Sequence, residues 1–137
     1  MKKRILCYLF AFLCIILCSC QAEKVSNLNL IEEESFFSDF VIEDGTVIFY
    51  CKISVLNETE ELKLVEIHGD FTEDFESGLI SKASLTADDP DTGVTSFLLS
   101  PGENQFRIAF SCEHAGRTTM KQTRLLPQIR ITEIQGN

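Results

Sequence analysis

Six cysteines and a large set of carboxylates are the side chains in this 137-residue chain with chemistry to offer. Cys7, Cys14, Cys18 and Cys20 fall within the first twenty residues, and only Cys51 and Cys112 lie beyond them. A thiol can be alkylated, oxidised to a disulfide, or deprotonated onto a soft metal. Cys51 and Cys112 stand 61 positions apart, each on the apolar side of an alternating segment. That placement predicts a buried disulfide between facing sheets, worth about 4 kcal/mol in the chain-entropy account. The competing reading is a pair of free thiols packed as small core residues.

Carboxylates gather in two loops. Asp88, Asp89 and Asp91 make one, and Asp70, Glu73, Asp74 and Glu76 make the other. Hard cations such as Ca²⁺ take roughly six to eight oxygens, so Asp88, Asp89 and Asp91 are candidate Ca²⁺ ligands. The run Asp89-Pro90-Asp91-Thr92-Gly93 lacks EF-hand spacing, with Ser100 where the twelfth-position Glu belongs, and solvated turns fit it as well. His114 follows Cys112 by two residues, but one Cys and one His fall short of a four-ligand zinc site. Gly-x-Ser-x-Gly, Ser-x-x-Lys and His-Glu-x-x-His are all missing. The sequence therefore predicts a non-enzymatic protein with no catalytic residue, no resident metal and no cofactor. Arg117, Lys121, Arg124 and Arg130 concentrate positive charge near the C-terminus. They read as a solvated loop pairing with nearby acids, or as half of a polarised contact surface.

The first twenty residues carry an address. Lys2, Lys3 and Arg4 precede an uncharged apolar run from Ile5 to Cys18, about 15 residues in length. A bilayer-spanning helix needs ~20 apolar residues, whereas about 7–15 is the length of a signal h-region. Leu17-Cys18-Ser19-Cys20 then places a small residue before a cysteine, with leucine three places upstream. Residues 1–20 resemble the lipobox signal of bacterial lipoproteins. The resemblance implies that Cys20 receives a diacylglyceryl thioether and that residues 1–19 are removed. The rest would hang by acyl chains such as palmitate from the extracytoplasmic face of the cell membrane. An uncleaved anchor and ordinary secretion are the alternatives. Export also supplies a compartment in which a disulfide persists.

Without its signal, the chain has nine basic residues against 21 acidic ones, a net charge of −12. That excludes nucleic acid as an expected partner, because phosphates require positive charge. It keeps the chain soluble, or it complements a cationic partner or a divalent ion. One domain is expected over residues 29–137. Residues 20–28 read as a tether of at most ~25–29 Å, holding that domain close to the bilayer.

Period-2 patterning dominates the domain. Residues 28–40 admit a strand or a short helical turn, with Phe36, Phe37 and Phe40 read as core. Asp44-Gly45 between apolar runs marks a hairpin. Val47, Phe49, Cys51, Ile53 and Val55 line one face of the next strand. Asn57-Glu58-Thr59, a glycosylation sequon in form, reads as a turn. Residues 62–71 predict a strand with a bulge near Leu64, and residues 71–78 an acidic connection with one helical turn. Shorter strands follow at 79–87 and 94–99, then an alternating strand through Phe106, Ile108, Phe110 and Cys112. After a polar loop, a last strand begins at Ile129. About seven short strands with regular turns predict an all-β antiparallel sandwich.

Leu99-Ser100-Pro101-Gly102-Glu103 followed by Phe106-Arg107-Ile108-Ala109-Phe110 resembles bacterial immunoglobulin-like extracellular domains, as does Val55-Leu56-Asn57-Glu58-Thr59. The resemblance implies an immunoglobulin-like β-sandwich serving as an adhesion, spacer or interaction module. No tryptophan is present to pack on an inter-sheet disulfide as in antibody domains. The functional expectation is a lipid-anchored interaction or spacer module of the cell envelope with a protein partner. The alternatives are an accessory lipoprotein binding a ligand or divalent cation through its acidic loops, and a cryptic hydrolase.

Overall fold

A computed structural model describes residues 27–118 and 123–135, so Cys20, the signal and Lys121 lie outside the described residues. The fold is all-β and antiparallel. Its strands are β1 (Leu28–Leu30), β2 (Phe36–Glu43), β3 (Thr46–Asn57), β4 (Lys63–Asp70), β5 (Ser84–Asp88), β6 (Phe97–Leu99), β7 (Gly102–Glu113) and β8 (Gln128–Glu133). A 3-10 turn (Glu32–Glu34) and one short helix, α1 (Thr72–Glu76), complete the elements. Residues 28–40 thus hold both a strand and a helical turn. Leu28, read as tether, is already paired with Asn57.

One layer is built on β3 and β7, which pair along their whole length from Thr46↔Glu113 to Asn57↔Gly102. β1 and β2 share the other side of β3. Between them the 3-10 turn leaves the ladder, and Ser35 takes its place. The Ser35 hydroxyl donates to the Ile31 carbonyl (2.7 Å) and accepts from the Ser54 N–H (3.0 Å). The second layer is built on β4, flanked by β8 and by β5 and β6. β5 joins the layers: residues 84–86 pair with β4 and residues 87–88 with β7. Such a sheet-switching strand closes one side of a sandwich into a corner. The opposite side is a seam between β2 and β8, neither of which has a second strand partner among the described residues.

The core lies between the layers. Val47, Phe49, Cys51, Ile53 and Val55 from β3 meet Val65 and Ile67 from β4, with Ile108 and Phe110 from β7. Phe71 bridges the layers, its ring 4.5 Å from Phe49 and 5.1 Å from Phe110. Gly69 makes that bridge possible. A Cβ there would sit 2.7 Å from the Phe71 ring and 3.0 Å from Phe110. The Asp44-Gly45 hairpin forms as expected, with φ of 49° and 75°, the left-handed pair a two-residue primed turn demands.

Two expectations change. Leu64 is exposed with β4 in regular register, and the bulge lies in β2 instead, between Phe37 and Asp39. The extra residue turns both Phe37 and Phe40 toward the core, three positions apart, while Phe36 faces outward and is 51% exposed. The expected Cys51–Cys112 bridge across facing sheets is also corrected. Both are free thiols in adjacent strands of one sheet. Cys51 pairs with Ile108 and Cys112 with Val47, a four-residue offset of roughly 13 Å, well beyond disulfide reach.

Candidate functional site

The seam is where polar chemistry meets the core. Residues 123–127 cross it between the polar loop and β8. Arg124 turns inward from this strap, its guanidinium stacked 4.6 Å from the Phe40 ring centroid and 5.1 Å from that of Phe49. Its Nη1 lies 2.9 Å from Asp74 Oδ1 on α1, and both side chains are buried, 9% and 7% exposed. The β2 bulge matters here. It sets Phe40 opposite Phe49, rings 5.5 Å apart, which creates the aromatic platform for the guanidinium. Two electron-rich faces and one carboxylate offset the desolvation of the cation.

Around this pair the surface is concave. A cleft of about 560 Å³ is lined by Phe37, Phe49, Asp70, Phe71, Thr72, Glu73, Asp74 and the strap. A shallower arm of about 700 Å³ runs along the seam past Phe36, Ser35 and Glu32 to Leu30. The two share Arg124, Leu125, Leu126, Pro127 and Gln128, so the strap forms a rib through one trough. Leu126 packs against the core while Leu125 is 85% exposed. At the rim, Asp70 Oδ1 accepts from the Thr72 hydroxyl (2.6 Å) and N–H (2.9 Å), which hold its carboxyl below the usual range. The trough offers an aromatic floor, the buried Arg124–Asp74 pair and an acidic rim of Asp70, Glu73 and Glu32. That suits a ligand or peptide side chain with an apolar body and polar ends.

The residues singled out in sequence are scattered. Asp89 serves its own turn: Oδ1 accepts from the N–H groups of Asp91 (2.8 Å) and Thr92 (3.0 Å), which lower its pKa. Asp88 shifts the other way, raised by burial and by its neighbour Asp89. Among the described residues no three His, Cys, Asp or Glu side chains converge as metal ligands, so Asp88, Asp89 and Asp91 are not brought together as a cage. The three C-terminal cations among the described residues, Arg117, Arg124 and Arg130, do not form one surface. Arg124 is buried, Arg130 pairs in register with His68 on the outer face of β4, and Arg117 packs over Gly78. Burial pushes the Cys51 thiol up to about 12, which makes it unreactive, and Cys112 Sγ lies 3.5 Å from the Ser81 hydroxyl. Asn57, the sequon residue, is buried, its amide donating to the carbonyls of Glu61 (2.8 Å) and Leu99 (3.3 Å).

Sequence reasoning missed the Arg124–Asp74 pair. The one signal was an arginine set directly against Leu125-Leu126-Pro127, an apolar run that a solvated loop does not need. No protein-family model, curated protein or solved structure shows significant similarity to the chain.

Proposed function

We propose that this chain is an exported, lipid-anchored domain of the cell envelope that works by contact, presenting the seam trough to a protein partner. The observation that carries this reading is Leu17-Cys18-Ser19-Cys20 behind a basic and apolar leader. A thioether on Cys20 with two acyl chains attaches stably, where a single chain holds only marginally. The described residues begin at Asn27, seven positions on from Cys20, and seven residues span at most ~25 Å.

The geometry supports the division of labour. Asn27 accepts from the Glu58 N–H beside the β3–β4 turn, so the tether enters at the Asn57 end of β3. The cleft around Asp70 and α1 lies at the other end of β4, roughly 23 Å away along the strand. A domain held this way turns its cleft outward from the membrane.

The reading is tested by metabolic acyl labelling and intact mass of membrane-extracted protein. The chain should begin at Cys20 and carry lipid, and Cys20→Ala should leave an unacylated precursor. Equal labelling in variant and parent would overturn it. A second reading, an accessory lipoprotein taking a small ligand, is favoured by the aromatic floor of Phe37, Phe49 and Phe71. Arg124→Met and Phe37→Ser then weaken ligand-induced thermal shifts without changing acylation.

A further inference from the structure

Exposed leucines cluster where the tether enters. Leu62, Leu64 and Leu98 are 62%, 40% and 56% exposed. Leu64 and Leu98 are register partners on the outer face of the β4 layer, since their neighbours Val65, Phe97 and Leu99 point inward. Half-buried Ile134 follows β8 beside them, its N–H donating to the Leu64 carbonyl (2.8 Å). All of this sits at one end of the sandwich. Asn57 pairs with Leu28 and Gly102, its side chain bonds to Leu99, and Glu58 binds Asn27. Of the other exposed apolar side chains, Phe75 lies on α1, Val94 and Leu125 lie in loops, and Phe36 and Ile42 stand six positions apart on β2.

We propose that Leu62, Leu64 and Leu98 form a membrane-seating patch that rests the domain on the bilayer. The inference rests on the lipid-anchored reading of Cys20. The occupant follows from the chain that precedes the domain. Seven positions separate Asn27 from Cys20, so this end of the sandwich lies within ~25 Å of the acylated residue. At that range the contact is intramolecular, and a patch too weak to bind membranes alone is enough to fix orientation. Leucines at the interface are seated by burial of apolar area. Glu58, Glu60 and Glu61 flank them on the turn and stay in water, which favours neutral over anionic headgroups. Seated this way, the β4 layer leans on the lipid and the cleft around Asp70 and α1 lies at the end away from the tether.

The test uses the full acylated protein in phosphatidylcholine vesicles whose acyl chains carry a nitroxide quencher. A bimane label is placed at Leu98→Cys or, as the distal control, at Ser111→Cys near the far end of β7. Burial protects Cys51 and Cys112 from the label. Intact mass reports acylation of each sample. The label at 98 should be quenched at least twofold more than at 111. Adding Leu62→Ser and Leu64→Ser, both at exposed positions, should remove at least half of that quenching with acylation unchanged. Equal quenching at 98 and 111 in acylated protein would overturn the patch while leaving the anchor standing. So would protection at 98 from aqueous iodide without lipid quenching, the mark of a second copy on this face. An unacylated Cys20 overturns both readings, and the mass separates that outcome from the others.

Discussion

At the scale of single residues, burial decides chemistry. The Arg124 guanidinium is nearly cut off from water, and the Asp74 carboxylate and the rings of Phe40 and Phe49 offset its desolvation. Removing Asp74 takes that carboxylate away from a buried cation. Asp74→Ala should therefore destabilise the fold by about 3 kcal/mol in denaturant unfolding, and Asp74→Ala/Arg124→Met should recover at least half of that loss. Cys51 shows the same effect without a partner. Its thiol ionises near 9.0 when unfolded and is pushed to about 12 in the fold by desolvation. Below pH 9 both states keep the proton, and the group leaves stability unchanged. Between those values only the unfolded state releases it, so stability falls as pH rises, by up to about 1.4 kcal/mol per pH unit. The difference between wild type and Cys51→Ala in alkaline unfolding isolates this slope. Thiol titration of the unfolded, unreduced mature protein should count two free thiols, Cys51 and Cys112. The apolar face carrying both was legible in the sequence, but their mutual distance was not, because it depends on which strands pair and in what register.

At the scale of elements, small irregularities place the site. The bulge at Phe37/Asp39 rotates β2 so that Phe40 meets Phe49. Patterning alone could not locate it, since Phe36, Phe37 and Phe40 fit either phase and only packing against β3 chooses. Gly69 is the second such point. A methyl group there meets two aromatic rings at 2.7–3.0 Å, and those rings are wedged by Phe49 as well. Gly69→Ala should cost about 2 kcal/mol, read as a lowered Tm or denaturant midpoint with the fold retained. The hairpin at Asp44-Gly45 needed no tertiary help, because left-handed φ at two successive positions is a local demand that the residue types announce.

At the scale of the whole molecule, Asn27 and the cleft around Asp70 lie toward opposite ends of β4, which gives the proposed lipid anchor a structural consequence. Cys20→Ala should abolish acyl labelling and shift the protein from the membrane fraction to the soluble or precursor pool, measured by fractionation and intact mass. The folded domain itself should be unaffected, since no contact described for residues 27–118 and 123–135 involves Cys20. Residues 27–118 and 123–135 contain no helix long and apolar enough to cross a membrane.

The sequence by itself determined the all-β class, the long alternating strands β3 and β7, the primed hairpin and the acidic character, because period-2 burial and turn chemistry are written in neighbouring residues. Tertiary structure alone decided that β5 joins two layers, that the cysteines stay apart, and that Arg124 enters the core beside Asp74. Each of those depends on contacts between residues far apart in the chain. Alternation fixes which face of a strand is apolar, but it carries no information about which strand lies alongside.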